Sequence, residues 1–446
     1  MGEKLGIPIE ERYEAALDYL KNLTKFGINL GLGRIQELLK RLGNPENRLQ
    51  VIHVGGTNGK GSTSMMTAEI LREAGYKVGV FTSPHLHDYR ERIVINGRMI
   101  SKEKLVEILD KIRPVLDQLV AGGIEHPTEF EVSTAIAFAY FDAEKVDYAL
   151  IEVGLGGEID STNVVSPLIS VITNVGMDHM DYLGNTVEEI AKIKAGIIKS
   201  GSVAVTAADR PEVLKILEKK AKDLGIKLWK IGEDVQWESL WSGELGQEIN
   251  ITGLHGYYPG IRLNLAGGYQ IKNAATALAI CEILKVDYDA EIPREAIYAG
   301  FNKVQWPGRL ELISRKPKIL LDGAHNVDGA EALAQALGNY SRKRLILCLG
   351  MLADKEREKV VNILAPLADE VIVTRPNSPR AGDWRHLEKL VRTFVSQVSV
   401  IDDPKEAVIK GMEGLEKEDL LCVTGSLYMI ADARQALLDK LKRTTI

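Results

Sequence analysis

The sequence predicts an α/β protein with two parts. The first is a P-loop-type nucleotide domain on a mostly parallel sheet. The second is a smaller, Rossmann-like α/β domain at the C-terminal end. Three observations predict this. Apolar runs alternate with helix-like segments along most of the chain. A glycine-rich stretch, Gly55-Gly56-Thr57-Asn58-Gly59-Lys60-Gly61-Ser62, sits between one such run and a helical segment. A second alternating series follows Gly308. Strands of this kind, separated by helices, form sheets buried on both faces. At 446 residues the chain is also too long for one ordinary core.

In chain order, residues 10–41 read as two helices separated by the segment 26–33, which is rich in glycine. Val51–Val54 reads as a strand, and Ser64–Ala74 as a helix stopped by Gly75. Lys77–Thr82 is the next strand, Phe130–Phe141 an apolar helix, and Asp147–Val153 and Leu168–Thr173 further strands. Thr186-Val187-Glu188-Glu189 has the spelling of a capping box and opens a helix toward Lys199. Ser202–Ala207 is a strand. Residues 229–265, rich in Gly, Trp and Tyr, read as short strands and hairpins, and Asn273–Ile283 as an alanine-rich helix. Residues 300–308 read as a linker. The second series has strands at Lys318–Leu321, Arg344–Leu349, Glu370–Thr374, Val398–Ile401 and Leu420–Val423. The expected division is 1–299, a linker 300–308, and 309–446.

Composition narrows the function. The formal net charge of −6 argues against a broad nucleic-acid surface. No apolar run reaches membrane-spanning length. Cys281, Cys348 and Cys422 are far apart in sequence and show no metal-binding spacing. Cys348 and Cys422 fall in apolar runs and read as buried thiols. Glu10, Glu11 and Glu14 make the start of the chain look like a charged helix rather than a signal peptide. A reduced cytoplasmic protein is expected.

The stretch from Gly55 to Ser62 carries the first chemistry. A glycine-rich turn ahead of a helix lets backbone N–H groups wrap phosphate oxygens, and Lys60 adds a point charge. The common phosphate loop reads G-x-x-x-x-G-K-[ST]. Here only three residues separate Gly55 from Gly59, and Gly61 intervenes between Lys60 and Ser62. A plain structural turn is the alternative.

Other candidates sit where strands end, which is where ligands gather in parallel sheets. Thr82-Ser83-Pro84-His85, Glu152 and Asp178-His179 could supply oxygen and imidazole ligands to Mg²⁺ ions bridging phosphates. Each has a bland reading. Ser83 could cap a turn, Glu152 could pair with a cation, and His179 could be a hydrogen-bonded surface or core residue. In the second part, Asp322-Gly323-Ala324-His325-Asn326 and Thr424-Gly425-Ser426 end strands in polar residues. Arg309 is either an anion clamp or a solvated arginine.

Together these residues resemble the folylpolyglutamate synthase/dihydrofolate synthase family of the Mur ligase superfamily. The likeness rests on five segments. They are Gly56–Ser62, Thr82–Leu86 with Glu91-Arg92-Ile93, Glu152–Gly157 with Asp160–Asn163, Asp178-His179 with Leu183-Gly184, and Asp322–Asn326. It runs from Leu30 to Ser426.

The resemblance implies roles. Thr57, Asn58, Gly59, Lys60, Gly61 and Ser62 would hold ATP phosphates, and Asn273, Arg309 and Asp322 would make further nucleotide contacts. Ser83 and Glu152 would bind one Mg²⁺, and Glu152 and His179 a second. Lys194 matches the lysine that is carbamylated in this superfamily, its carbamate being anionic where an ammonium could not ligate a cation. An ordinary surface lysine is the alternative. Asn29, Leu30, Thr128, Glu129, Phe130 and Ile159 match the pterin-side pocket. His325 and Ser426 match positions near the incoming glutamate, with His325 a possible base for its amine.

The implied reaction is ATP-dependent ligation of L-glutamate to a reduced folate, and of glutamate to dihydropteroate if both activities are present. It passes through an acyl phosphate. A monomer with no nucleic-acid or membrane partner is expected. One alternative is a ligase of cell-wall synthesis, which would carry a further N-terminal domain for a uridine nucleotide. The other is an ATP-binding switch, which would need no second metal set.

Overall fold

The computed structural model describes residues 7–27 and 29–444. Ile28, in the segment expected to separate the first two helices, lies outside the described residues. The chain forms two compact units. The first comprises residues 1–175, 186–235 and 276–300, and the second 176–185, 236–275 and 301–446. They do not follow the linear division at 300–308. Gly300–Lys303 close the helix Arg294–Lys303, and a Cβ on Gly300 would lie 2.7 Å from the backbone of Ile70.

The first unit is built on eight strands: β1 (Val51–Gly55), β2 (Val78–Phe81), β3 (Ile93–Ile95), β4 (Arg98–Met99), β5 (Tyr148–Glu152), β6 (Ile169–Ile172), β7 (Val203–Thr206) and β8 (Leu228–Lys230). Their order is β4-β3-β2-β5-β1-β6-β7-β8. The pairings from β2 to β8 are parallel, and the β2–β3–β4 edge is antiparallel. The central strands β1 and β5 are buried along their whole length, as expected of apolar runs without polar alternation. Beside them a core of Leu20, Leu38, Phe81, Ile112, Phe138 and Ile151 is sealed from water. Trp229, at the start of the segment expected to form short strands and hairpins, lies in the short strand β8 opposite Val205 of β7.

Helix starts follow local chemistry. Thr128 and Thr186 both close capping boxes, with Glu131 and Glu189. The helix from Val187 stops at Ala195, short of Lys199. Gly196 follows it with no room for a side chain, since a Cβ there would lie 2.3 Å from Glu158 Cβ.

In the second unit, β9 (Gln236–Gly243), β10 (Gly246–Thr252) and β11 (Tyr257–Leu263) make an antiparallel sheet. A six-stranded sheet follows, from β12 (Glu311–Arg315), β13 (Lys318–Asp322), β14 (Leu345–Leu349), β15 (Glu370–Thr374), β16 (Gln397–Ile401) and β17 (Leu420–Thr424), in the order β12-β13-β17-β14-β15-β16. All neighbours are parallel except β12 with β13. Leu320, Leu347, Val371, Leu387 and Cys422 form its core. All three cysteines are buried free thiols. Among the described residues, no helix is long and apolar enough to cross a membrane.

Candidate active site

The loop after β1 is held open by its own backbone. Gly56 has φ 143° and Gly59 φ 87°, a region that costs an L side chain strain. A Cβ on Gly56 would also lie 1.9 Å from Thr173 Oγ1. Residues just past β6 brace the loop. Asn174 accepts hydrogen bonds from the N–H groups of Thr57 (3.2 Å) and Asn58 (2.7 Å) on its Oδ1. Thr173 Oγ1 donates to Asn58 O at 2.6 Å. Gly59 caps the helix Lys60–Glu73, so Lys60, Gly61 and Ser62 occupy its first turn. That helix begins four residues before the predicted Ser64. Its N-terminal N–H groups and partial positive charge suit an anion.

Three charged groups meet the loop. Lys60 Nζ donates to the carbonyls of Gly56 and Thr57, both at 3.2 Å. It also stands 3.9 Å from Glu152 Oε1. Glu152 is buried, and a buried carboxylate needs such a cation. Lys194, 4% exposed, donates from Nζ to Gly56 O at 2.8 Å. The surface-lysine reading of Lys194 therefore does not fit.

Register accounts for the company Glu152 keeps. It pairs with Val54 on one side. On the other, Phe81 pairs with Ile151, so Thr82-Ser83 leaves its strand beside Glu152. Phosphate loop, hydroxyl and carboxylate thus share the carboxyl edge of one sheet.

Below this edge a buried chain of hydrogen bonds shapes the turn after Glu152. Asp160 accepts from Leu155 N at 2.7 Å and Thr162 N at 3.0 Å, and from the Thr162 hydroxyl. With that proton committed, Thr162 Oγ1 accepts from His53 Nε2 at 2.8 Å. His53 is therefore neutral with its proton on Nε2. Burial, then the charge of Lys199, pushes its pKa down to about 3.

The residues matched to a pterin-side pocket lie in the same unit. A Cβ on Gly154 would lie 2.3 Å from Phe130 Cζ, so the Phe130 ring lies on the turn backbone. Glu129 accepts from Arg92 Nη1 at 3.0 Å and from the Tyr89 hydroxyl at 2.5 Å. Arg92 also donates to His85 Nδ1 at 2.9 Å, and burial followed by Arg92 holds His85 down to about 4. Asn29 Nδ2 donates to Glu125 at 2.9 Å. Ile159 stays exposed.

The second unit gathers the remaining candidates. Asp178 accepts from Lys355 Nζ at 2.6 Å and Asn326 Nδ2 at 3.1 Å, and lies 3.7 Å from His325 Nε2. Burial opposes the charge, but the bond from His325 and the charge of Lys355 hold this carboxyl far below the usual range. His179 follows it at φ 52°. Asp322 is buried, which raises its pKa, against the opposing charge of Arg309. It accepts from Leu310 N and Ala324 N, both at 2.9 Å. Tyr269 packs close enough to sense both Asp322 and Arg309, and begins the helix that carries Asn273. Ser426 follows Gly425, whose N–H donates to Ala324 O at 3.0 Å, so it sits beside His325. Its buried Oγ has no hydrogen-bond partner among the described residues, which suits a hydroxyl kept for a ligand.

Sequence reasoning missed Thr173, Asn174 and Lys355. The first two follow a strand end, a position that could have flagged them. Lys355 lies in a polar turn after β14 and carries no comparable signal.

Residues 54–281 match the family model described as the Mur ligase middle domain, and residues 308–427 match the Mur ligase glutamate ligase domain. The chain is 39% identical over 428 residues to the dihydrofolate synthase/folylpolyglutamate synthase of Bacillus subtilis, covering 95% of this chain and 99% of that one. Two solved structures are similar over nearly the whole length. One is Mycobacterium tuberculosis folylpolyglutamate synthase complexed with ADP and AMPPCP. It has TM-score 0.86 and 33% identity, and covers 95% of this chain and 98% of that one. The other is Escherichia coli FolC in complex with DHPP and ADP. It has TM-score 0.86 and 29% identity, and covers 96% and 98%.

Proposed function

The chain belongs to the folylpolyglutamate synthase/dihydrofolate synthase family of Mur ligases, and from that premise we propose how its residues divide the work of an ATP-dependent glutamate ligase. The observation that carries the division is the loop at the sheet edge. Lys60 heads a helix, with the buried carboxylate of Glu152 3.9 Å from its ammonium.

The acceptor's carboxylate oxygen attacks the γ-phosphorus of ATP. The bond to the bridging β–γ oxygen breaks, and ADP leaves with that electron pair. The amine of glutamate then attacks the acyl carbon, inorganic phosphate departs, and the amine's proton passes to a base. In this reading the amides of Gly59 to Ser62 and the Lys60 ammonium hold the β- and γ-phosphates. They stabilise charge as it builds on the transferring group. Lys60 exchanges its two carbonyl partners for phosphate oxygens. Asn273, Arg309 and Asp322 hold the rest of the nucleotide. His325 and Ser426 receive the glutamate, with His325 the candidate base.

The donor set fits a hard divalent cation. The Ser83 hydroxyl and the Glu152 carboxylate offer oxygen ligands of the kind Mg²⁺ takes, and the phosphates and water would supply the rest. Ser83 and Glu152 would hold one ion. Glu152, His179 and Lys194 as its carbamate would serve a second. Bound Mg²⁺ would supply charge neutralisation on the phosphoryl group. Lys194, already buried against the loop at Gly56 O, would turn from a competing cation into an anionic partner on carbamylation.

Asn29, Leu30, Thr128, Glu129, Phe130 and Ile159 would line the pterin side of the acceptor pocket. The three buried free thiols suit a reducing cytoplasm, and a monomer is the working assembly.

The decisive assay is phosphate release by the purified protein with ATP and Mg²⁺. Release only when both tetrahydrofolate and glutamate are present supports the reading. Release indifferent to glutamate sinks it, and release with a UDP-linked muropeptide favours a cell-wall ligase. Substituting dihydropteroate for tetrahydrofolate tests for the dihydrofolate synthase activity.

A further inference from the structure

Across residues 29–33, Leu32 packs partly buried against the core, while the glycines around it leave open space. A Cβ on Gly27, Gly31 or Gly33 would meet no atom within 4 Å. Gly27 and Gly31 have φ 63° and 137°, so their backbone is also of the freest kind. Beyond Leu32, two side-chain ties hold the ends of this stretch. One is the Phe26 ring, stacked on His126 with centroids 4.8 Å apart. The other is Arg34.

Arg34 spends its whole fork on this junction. Its Nε donates to both carboxylate oxygens of Glu131 at 3.1 Å. Nη1 reaches Glu125 Oε2 at 3.4 Å, and Nη2 donates to Asn29 O. Glu125 in turn accepts from Asn29 Nδ2. The Glu131 side chain is only 1% exposed, and it accepts from Thr128 N at 2.7 Å as half of a capping box. One guanidinium therefore joins the open segment bearing Asn29 and Leu30 to the helix start bearing Thr128, Glu129 and Phe130. A planar five-donor fork can do this, and a lysine's point charge cannot.

We infer that Arg34 is a positioning residue for the folate acceptor. It fixes the 29–32 segment against the Thr128 helix start, so that the pocket exists before substrate arrives. Without it the segment must be ordered at the expense of binding, which raises KM and leaves the chemical step alone. The inference rests on the reading that these two segments line the acceptor pocket.

The test uses three variants of the full chain. Arg34→Lys keeps a charge for buried Glu131 while losing the fork. Arg34→Met with Glu131→Gln removes both charges together, so that no carboxylate is left buried alone. Leu30→Ala probes the pocket itself. Both Arg34 variants should raise KM for tetrahydrofolate at least tenfold, with kcat and KM for ATP within twofold. Amide hydrogen exchange over 29–33 should quicken in both. KM for folate within twofold of the parent, or a fall in kcat alone, overturns the role of Arg34. If Leu30→Ala also leaves KM unchanged, the pocket reading has failed. If Leu30→Ala raises KM while the Arg34 variants do not, only the inference about Arg34 has failed.

Discussion

His53 should make the first unit lose stability in mild acid. It is wholly buried in β1, donates from Nε2 to Thr162, and has no partner at Nδ1 among the described residues. Its folded pKa is pushed down to about 3, against 6.5 when free. A depressed folded pKa gives a contribution that is present above the unfolded value and lost as pH falls. Below pH 6.5 the unfolded chain takes up a proton that the folded chain refuses. Between pH 7 and pH 5 that difference is worth about 2 kcal/mol, and by pH 3 about 4 kcal/mol. His53→Gln offers an amide N–H to Thr162 and does not titrate. Urea unfolding of both proteins at pH 7 and pH 5 isolates the effect, because the other titrating groups are common to both. The parent should lose about 2 kcal/mol more than His53→Gln between the two pH values. Equal losses would mean that His53 is not held neutral by the core, and the tautomer assigned to the Asp160–Thr162–His53 chain would fall with it.

Lys60→Ala should reduce ligation by about a hundredfold or more, because its charge serves the transferring phosphate, and should also lower the melting temperature, because the buried Glu152 carboxylate loses its cation. Turnover near the parental rate would contradict the first part, and an unchanged melting temperature the second. Gly56→Ala should weaken nucleotide binding and cost about 1–3 kcal/mol in denaturant melts, from strain at φ 143° and the clash with Thr173. A variant with parental ATP affinity would show that the loop tolerates a side chain. Lys355→Met should destabilise the second unit by about 3–5 kcal/mol by stranding the Asp178 charge. Adding Asp178→Asn should recover much of that loss, and a double variant no better than the single would argue against the pair.

Legibility in the sequence followed how local each cause was. Val51–Val54 and Asp147–Val153 were readable because fully buried parallel strands are continuously apolar. Thr186 announced its helix through a capping box spelled within four residues. The end of that helix was not readable, because it depends on Gly196 packing against Glu158 across a turn. The helix after the phosphate loop was placed late, since Gly59 and Gly61 look like breakers until the left-handed cap at Gly59 is seen. The antiparallel strands at Ile93, Arg98 and Glu311 are short, lie at or next to a sheet edge, and have no strong period. At the site, Glu152 and Lys60 were found because each stands in or beside a strand end. Lys355 was not, because its meaning lies in Asp178, 177 residues away. Arg34 looked like one charge among many on a helix.

The two units also trade chain. Each is assembled from three separate stretches, and the ten residues 176–185 count with the second unit while both their flanks belong to the first. Neither unit is therefore a contiguous cassette. A ribosome that has synthesised residues 1–300 has made all of the first unit, yet also two stretches whose packing partners, Asn326 and Lys355 among them, do not yet exist. Those stretches must wait. Shuffling this enzyme's halves with those of a relative by a single crossover would always leave one unit built from two parents, so recombination that preserves the fold needs several breakpoints together.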